Sequence, residues 1–157
     1  MRLTDILRPD CLKVPLAATA KQQAIYELVD LLADNGVVAD REDLRAMVWQ
    51  RENTRTTGIG HGVAIPHGKS VGAKSLVLAI GKTATPIDFA AIDGKPVELI
   101  FLLVSPPDQT GPHIQALAGI SRMLTDASFR ASVRNAKSAE ELYKLIVDHE
   151  SKQVVAG

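Results

Sequence analysis

The stretch Thr54-Arg55-Thr56-Thr57-Gly58-Ile59-Gly60-His61-Gly62-Val63-Ala64-Ile65-Pro66-His67-Gly68-Lys69-Ser70 interrupts an otherwise regular succession of helical and strand patterns. It sets four glycines, a run of hydroxyls, two histidines and a proline between a helical pattern on its left and a strand pattern on its right. Glycine backbone can approach a ligand closely, and its amides can converge on an anion. Histidine supplies a nucleophile or base near neutral pH. The chemistry that wants His67 behind such a loop therefore decides how the chain is read.

Working outward, the segment before the loop is helical. Thr19 with Gln22 reads as a capping box opening a helix with Ile25, Leu28, Val29 and Leu32 on its apolar stripe. Gly36 stands where a helix-ending glycine belongs. Asp40 caps a second helix whose inward positions are Leu44, Met47 and Val48, and one more step along that stripe lands on Arg51. An arginine there either finds a buried partner or snorkels along apolar surface to water, and spacing does not choose between them. Before these helices, Pro9 and Pro15 limit helix, and Leu12-Lys13-Val14 reads as a short strand.

Beyond the loop, Ser75 to Gly81 reads as a buried strand and Pro86 to Ile92 as an edge strand. Asp93-Gly94 turns the chain into Val97–Val104, the most hydrophobic strand. Thr110 or Gly111 caps the next helix, with Pro112 in its first turn and His113, Leu117, Ile120 and Leu124 on one face. Asp126 opens a short helix carrying Phe129 and Val133. Ser138 with Glu141 opens the last, with Leu142, Leu145 and Ile146 inside. The expectation is an α/β fold, a single domain over residues 1–150 with a mixed β-sheet flanked by helices, followed by a flexible tail at 151–157.

Composition narrows the function classes. The 157 residues suit one domain, which buries roughly 68–70% of its unfolded surface without staples. Eighteen basic and eighteen acidic residues leave no electrostatic footprint for nucleic acid. The lone Cys11 fits a reducing compartment and a small buried side chain. Without a secretory pattern at the N-terminus or a long apolar run, a cytoplasmic protein with no membrane insertion is expected.

Several chemistries fail at the loop. Five residues rather than four separate Gly62 from Gly68-Lys69-Ser70, so this is not a P-loop, and Gly58-Ile59-Gly60-His61-Gly62 is not a dinucleotide fingerprint. No hydrolase elbow is present. A metal site from His61, His67 and His113 lacks any recognisable ligand spacing and stays open only because imidazoles bind zinc. Phosphoryl transfer suits the residue types. A neutral imidazole is nucleophilic at one ring nitrogen when the other is held as a donor, for example to a backbone carbonyl. Thr56, Thr57 and glycine amides can offer donors to the phosphoryl oxygens, and Arg51 a guanidinium. His113 at a helix start would stay neutral and donate a hydrogen bond.

Thr56-Thr57-Gly58-Ile59-Gly60-x-Gly62-Val63-Ala64-Ile65-Pro66-His67-Gly68 resembles the signature of the IIA domains of the fructose/mannitol class in the bacterial phosphoenolpyruvate-dependent phosphotransferase system, most of all their stand-alone nitrogen-regulatory branch. Asp93-Gly94-Lys95-Pro96-Val97 and His113-Ile114-Gln115-Ala116-Leu117 resemble later landmarks of that family in the same order, so the likeness spans about residues 3–148. The resemblance implies that His67 is phosphorylated on Nε2 by an HPr-like phosphocarrier protein, with His113 assisting transfer and Arg51 stabilising phosphate. It implies Thr57 as a phosphoryl ligand and Gly68 as part of the phosphate cradle. No cofactor, metal or nucleotide is required. Partners would be regulatory target proteins or, in a sugar-transport role, a IIB domain. A non-catalytic module whose loop only holds an anion is the reading from a different class. His61 departs from the Asn, Asp or Glu more usual at its position and is read as a rim residue. Arg55 either attracts a phosphorylated carrier by its charge or is a solvated loop arginine, and Lys69, Ser70 and His149 are read as solvated or surface side chains.

Overall fold

The computed structural model describes residues 2–156, with side chains through Lys152. A 3₁₀ turn at Leu3–Asp5 leads into β1 (Leu7–Leu16), followed by α1 (Lys21–Asp34) and α2 (Arg41–Thr54). Three short strands follow, β2 (Gly58–Gly60), β3 (Val63–Ala64) and β4 (His67–Lys69), then two long ones, β5 (Val77–Ile87) and β6 (Val97–Ser105). The chain closes with α3 (Thr110–Met123), α4 (Ala127–Arg134) and α5 (Ala139–Ala156). Helix α5 thus runs through residues that the sequence reading gives to a tail.

All six strands form one sheet in the order β1-β5-β6-β3-β2, with β4 also pairing β6. β6 is antiparallel to β5 and parallel to β3 and β4, so the sheet is mixed, as expected. Its apolar run is read by period two. Ile100, Leu102 and Val104 pack with Ile25, Leu28, Leu44 and Val48 of α1 and α2. Leu99, Phe101 and Leu103 pack with Ile120 of α3, Phe129 of α4 and Leu142 and Ile146 of α5. Both faces are therefore covered, which is why this strand shows no polar alternation. Each such side chain contributes about 1.5–3 kcal/mol by leaving water.

Several local expectations are corrected. β1 is ten residues long rather than three, and it tolerates Pro9 and Pro15 because it lies at the sheet edge. β5 extends to Ile87, and residues 88–96 form its connection to β6 instead of an edge strand. Beyond Gly81 the strand carries Lys82, Thr83, Ala84 and Thr85, which show no apolar run to reveal it. α1 is capped at Ala20 without a side-chain bond, so Thr19 lies outside the capping position. The chain entering α1 is held instead by Glu27, whose carboxylate accepts from the amides of Ala17 and Ala18 at 2.9 Å. Met47 faces solvent at 41% exposure, whereas Leu44 and Val48 are fully buried. α3 starts one residue after Gln109, so neither Thr110 nor Gly111 caps it. Asp40, Asp126 and Ser138 do bond the amides expected of them. Cys11 is 1% exposed, and burial pushes its thiol up to about 12.

The loop that stood out in the sequence is itself woven into the sheet. β2 and β3 form a hairpin across His61-Gly62, both with positive φ (58° and 77°), the geometry of the tight turn that matches strand twist. Gly58 makes a close approach to the 88–96 connection, where an added Cβ would stand 2.7 Å from Cβ of Ala91. Asp93 fastens the hairpin tip by accepting from the His61 amide at 3.2 Å. His61 thus holds its position by backbone conformation, in a left-handed geometry that asparagine tolerates better. His61→Asn is expected to stabilise the protein by about 0.5–1 kcal/mol, read as a raised urea midpoint. A lowered midpoint would show that the imidazole makes contacts that outweigh the backbone strain.

Candidate functional site

Strand pairing delivers His67 to its place. β3 and β4 run parallel along β6, separated by Ile65-Pro66; Pro66 has no N–H, but its carbonyl accepts from the Leu103 amide at 3.0 Å. His67 pairs with Leu103, Gly68 with Val104 and Lys69 with Ser105. Because side chains alternate, Gly68 turns to the α2 side and His67 to the α3 side. An added Cβ at Gly68 would lie 3.1 Å from Cγ2 of Val48, so this glycine lets α2 pack onto the sheet. That is a packing role, and it concerns the opposite face from His67.

The half-buried His67 ring donates from Nδ1 to the Ile65 carbonyl at 2.8 Å, since a carbonyl can only accept. The other nitrogen, Nε2, then carries the lone pair in the neutral ring. Burial lowers the His67 pKa; the Ile65 bond raises it, the charge of Arg51 lowers it and that of Glu52 raises it. The net shift is downward, which favours the neutral nucleophilic ring.

His113, in the first turn of α3, is 7% exposed and meets the His67 ring edge-on at 5.4 Å between centroids. Its Nδ1 lies 2.7 Å from Oγ of the fully buried Ser105. Burial pushes its pKa down to about 4, with His67 and Lys69 acting in the same direction. A hydroxyl can donate to Nδ1, and in that tautomer the neutral ring presents Nε2–H.

Arg51 lies with His67 on a cleft of about 280 Å³ that also takes in Arg55, Ile59, Ile92 and Leu117. Its guanidinium donates to the Arg55 carbonyl at 3.1 Å, at the end of α2. Of its two possible environments, it has taken the half-exposed one beside the imidazole.

The threonines behave differently from expectation. Thr57 is buried, and both its amide (2.8 Å) and its hydroxyl donate to the carboxylate of Glu52. A hydroxyl has one proton, so Thr57 has none left to offer a phosphoryl oxygen. The Thr56 hydroxyl is likewise committed, donating to the Phe89 carbonyl at 2.6 Å. Glu52 itself, 2% exposed, was missed in the sequence, although Leu44, Val48 and Glu52 are spaced four apart along one helical face. Lys21 was also missed; its ammonium pairs with Glu52 at 3.0 Å and donates to the Phe89 carbonyl at 3.2 Å.

The remaining histidines stand apart. His61 is exposed at the hairpin tip and lines a separate cleft with Glu98 and Arg134. His149 packs against Phe129, 3.5 Å from the Asp126 carboxylate. Lys69 donates to the Thr110 hydroxyl at 2.8 Å. Ser70 is buried, and its hydroxyl accepts from the Gly72 amide. Among the described residues no group of three or more His, Cys, Asp or Glu side chains could hold a metal ion, and no helix is long and apolar enough to cross a membrane.

The depressed histidines tie stability to pH. Below the ordinary value of 6.5 the unfolded chain binds protons that native His113 and His67 refuse, so stability falls as pH drops and is fully present above 6.5. For His113 the loss between pH 6.5 and about 4 is expected to reach about 3 kcal/mol. Urea unfolding at stepped pH should show this decline, and His113→Gln should flatten it relative to the parent. Parallel curves would mean that His113 titrates normally.

Comparison with known proteins places this geometry in a lineage. The family model for the phosphoenolpyruvate-dependent sugar phosphotransferase system, EIIA 2, matches residues 5–149. A nitrogen regulatory protein of Pseudomonas aeruginosa is 34% identical over 153 residues, covering 98% of this chain and 99% of the relative. The crystal structure of nitrogen regulatory protein IIA-Ntr from Neisseria meningitidis superposes with a TM-score of 0.83 at 33% identity, covering 90% of this chain and 97% of that one. Enzyme IIA of the mannitol system of Escherichia coli, in a complex with phosphorylated enzyme IIB, shares the fold with a TM-score of 0.75 at 19% identity, covering 91% and 99%. The chain belongs to the EIIA 2 family of the phosphotransferase system, as a IIA domain closely related to the nitrogen regulatory IIA proteins.

Proposed function

We propose that this chain is a cytoplasmic regulatory phosphocarrier that accepts a phosphoryl group on Nε2 of His67 from a phosphorylated HPr-like protein. The observation that carries the reading is the Nδ1 bond from His67 to the Ile65 carbonyl, which leaves Nε2 as the basic nitrogen beside His113. In the transfer, the Nε2 lone pair forms the new N–P bond while the bond to the carrier's histidine breaks and its electron pair stays with that ring. The His67 ring, still protonated at Nδ1, gains positive charge that the Ile65 carbonyl stabilises. The phosphoryl oxygens take a donor from His113 Nε2–H and the charge of Arg51.

Docking of a protein donor fits the surroundings. Ile59 and Ile92 are exposed at 39% and 73% on the cleft that holds His67, and Ile114, beside His113, is exposed at 60%. Apolar side chains next to Arg51 and Arg55 suit a carrier that brings a dianionic group. Once phosphorylated, the same face presents about two negative charges, enough to change which target it binds. The IIA–IIB complex of the mannitol system supports a second reading, in which phosphate passes onward to a IIB domain.

Incubation with an enzyme I-type protein, the carrier and phosphoenolpyruvate is expected to add one acid-labile phosphate, absent in His67→Ala. A stable mass would leave only an anion-binding module, and a gain that survives in His67→Ala would overturn the assignment of the phosphate to His67. Arg51→Ala and His113→Gln should each slow acceptance by about 10- to 100-fold, the worth of one charge-assisted hydrogen bond. Rapid chase of the label onto a IIB domain would favour the transport role over the regulatory one.

A further inference from the structure

The tautomer of His67 depends on one carbonyl, and the structure shows what holds that carbonyl. Ile65 precedes Pro66, which confines it to extended backbone. Its own amide donates to the Thr57 carbonyl at 3.0 Å. Thr57 is in turn gripped by Glu52, through its amide at 2.8 Å and its hydroxyl. Glu52 is oriented by Lys21, 3.0 Å away, and Lys21 is fixed by the Phe89 carbonyl and lies 5.3 Å from the centre of the Phe89 ring. The links run without a break from an ammonium on α1 to the Nδ1 proton of His67.

We infer that Glu52 is a positioning residue for phosphoryl acceptance, holding Thr57 and through it the Ile65 carbonyl that keeps His67 protonated on Nδ1 and free on Nε2. This rests on the phosphohistidine reading for its purpose, though not for its geometry. The Glu52 side chain is fully buried, and its two oxygens take three donors, Thr57 N–H, Thr57 O–H and Lys21 Nζ. A buried ion pair is a poor choice for stability alone, since apolar residues of similar volume often serve as well or better. Here the pair stands one bonded residue away from the segment that carries His67, and its donors leave Thr57 no freedom to shift. Glu52 also faces His67 electrostatically, opposing the effect of Arg51 on the ring. Lys69 is the other titratable group acting on this pair of rings, lowering the pKa of His113.

The test reads unphosphorylated protein first, so that it does not depend on transfer. In ¹⁵N-detected NMR, wild-type His67 is expected as the Nδ1–H tautomer. In Glu52→Gln it should become a mixture of tautomers with a lower pKa, while the ring-nitrogen signals of His61 and His149 stay where they are in the wild type. Acceptance of phosphate should then slow by about 10- to 100-fold with an unchanged KM for the carrier, as expected when a reacting atom loses its alignment. Lys21→Met/Glu52→Gln removes both charges together and should behave in the same way, so an unpaired lysine cannot account for the result. Thr57→Val keeps the ion pair and should move each readout in the same direction by less, which tests the relay even where a carboxylate variant fails to fold. If Thr57→Val, or any folded carboxylate variant, leaves the His67 tautomer, pKa and rate at wild-type values, Glu52 is a structural ion pair and the inference is wrong. If wild-type protein shows the tautomer but accepts no phosphate, the functional reading fails while the relay stands.

Discussion

Strand β6 is buried on both faces and both edges, and the rest of the molecule takes its position from it. Residues 97–105 present Ile100, Leu102 and Val104 to α1 and α2, and Leu99, Phe101 and Leu103 to the three C-terminal helices. A slip of one residue would exchange these two sets of neighbours, so the register is strongly specified. Its backbone edges are paired too, with β5 on one side and β3 and β4 on the other. Everything chemical in the chain is attached to this frame. His67 stands opposite Leu103, and Ser105 at the strand's end bonds His113 as α3 begins.

Such a frame holds two imidazoles close together, their ring centroids 5.4 Å apart. The pKa of each ring is lowered chiefly by burial, which favours the neutral imidazole in both. What distinguishes them is the partner of each Nδ1. A backbone carbonyl can only accept, so it commits His67 to Nδ1–H, whereas the Ser105 hydroxyl can donate and leaves His113 able to carry its proton on Nε2. Two identical side chains thereby acquire complementary roles, one basic and one donating. Arg51 adds a positive charge from the end of α2, while Glu52, the next residue, sends its carboxylate into the interior.

The buried Glu52–Lys21 pair shows how polar groups at such a site can be structural and chemical together. It satisfies the amide and hydroxyl of Thr57, a residue that composition alone offers as a ligand donor. The glycines divide in the same way. Gly68 admits Val48 of α2, Gly58 admits Ala91, and Gly62 turns a hairpin, so each is accounted for by backbone or packing.

Much was legible in the sequence. Period-two and helical patterns gave the α/β class, β6 and all five helices, because burial of apolar side chains is written locally. The motif around Pro66-His67 singled out the histidine proposed to react, and helical spacing brought His113 and Arg51 into consideration. The strands β2 to β4 were hidden inside a glycine-rich run, since pairing two or three residues with a distant strand leaves no periodic signal. The extents of β1 and β5 were hidden for a related reason, their ends being polar or proline-bearing. Only the tertiary structure decided which hydroxyls are free. Thr56 and Thr57 looked like ligand donors, but the Phe89 carbonyl and the Glu52 carboxylate, brought in by the fold, accept their hydroxyl hydrogen bonds. Residue type states what a side chain can donate or accept. Which partner it meets depends on non-local packing, and at this site the partner determines the chemistry.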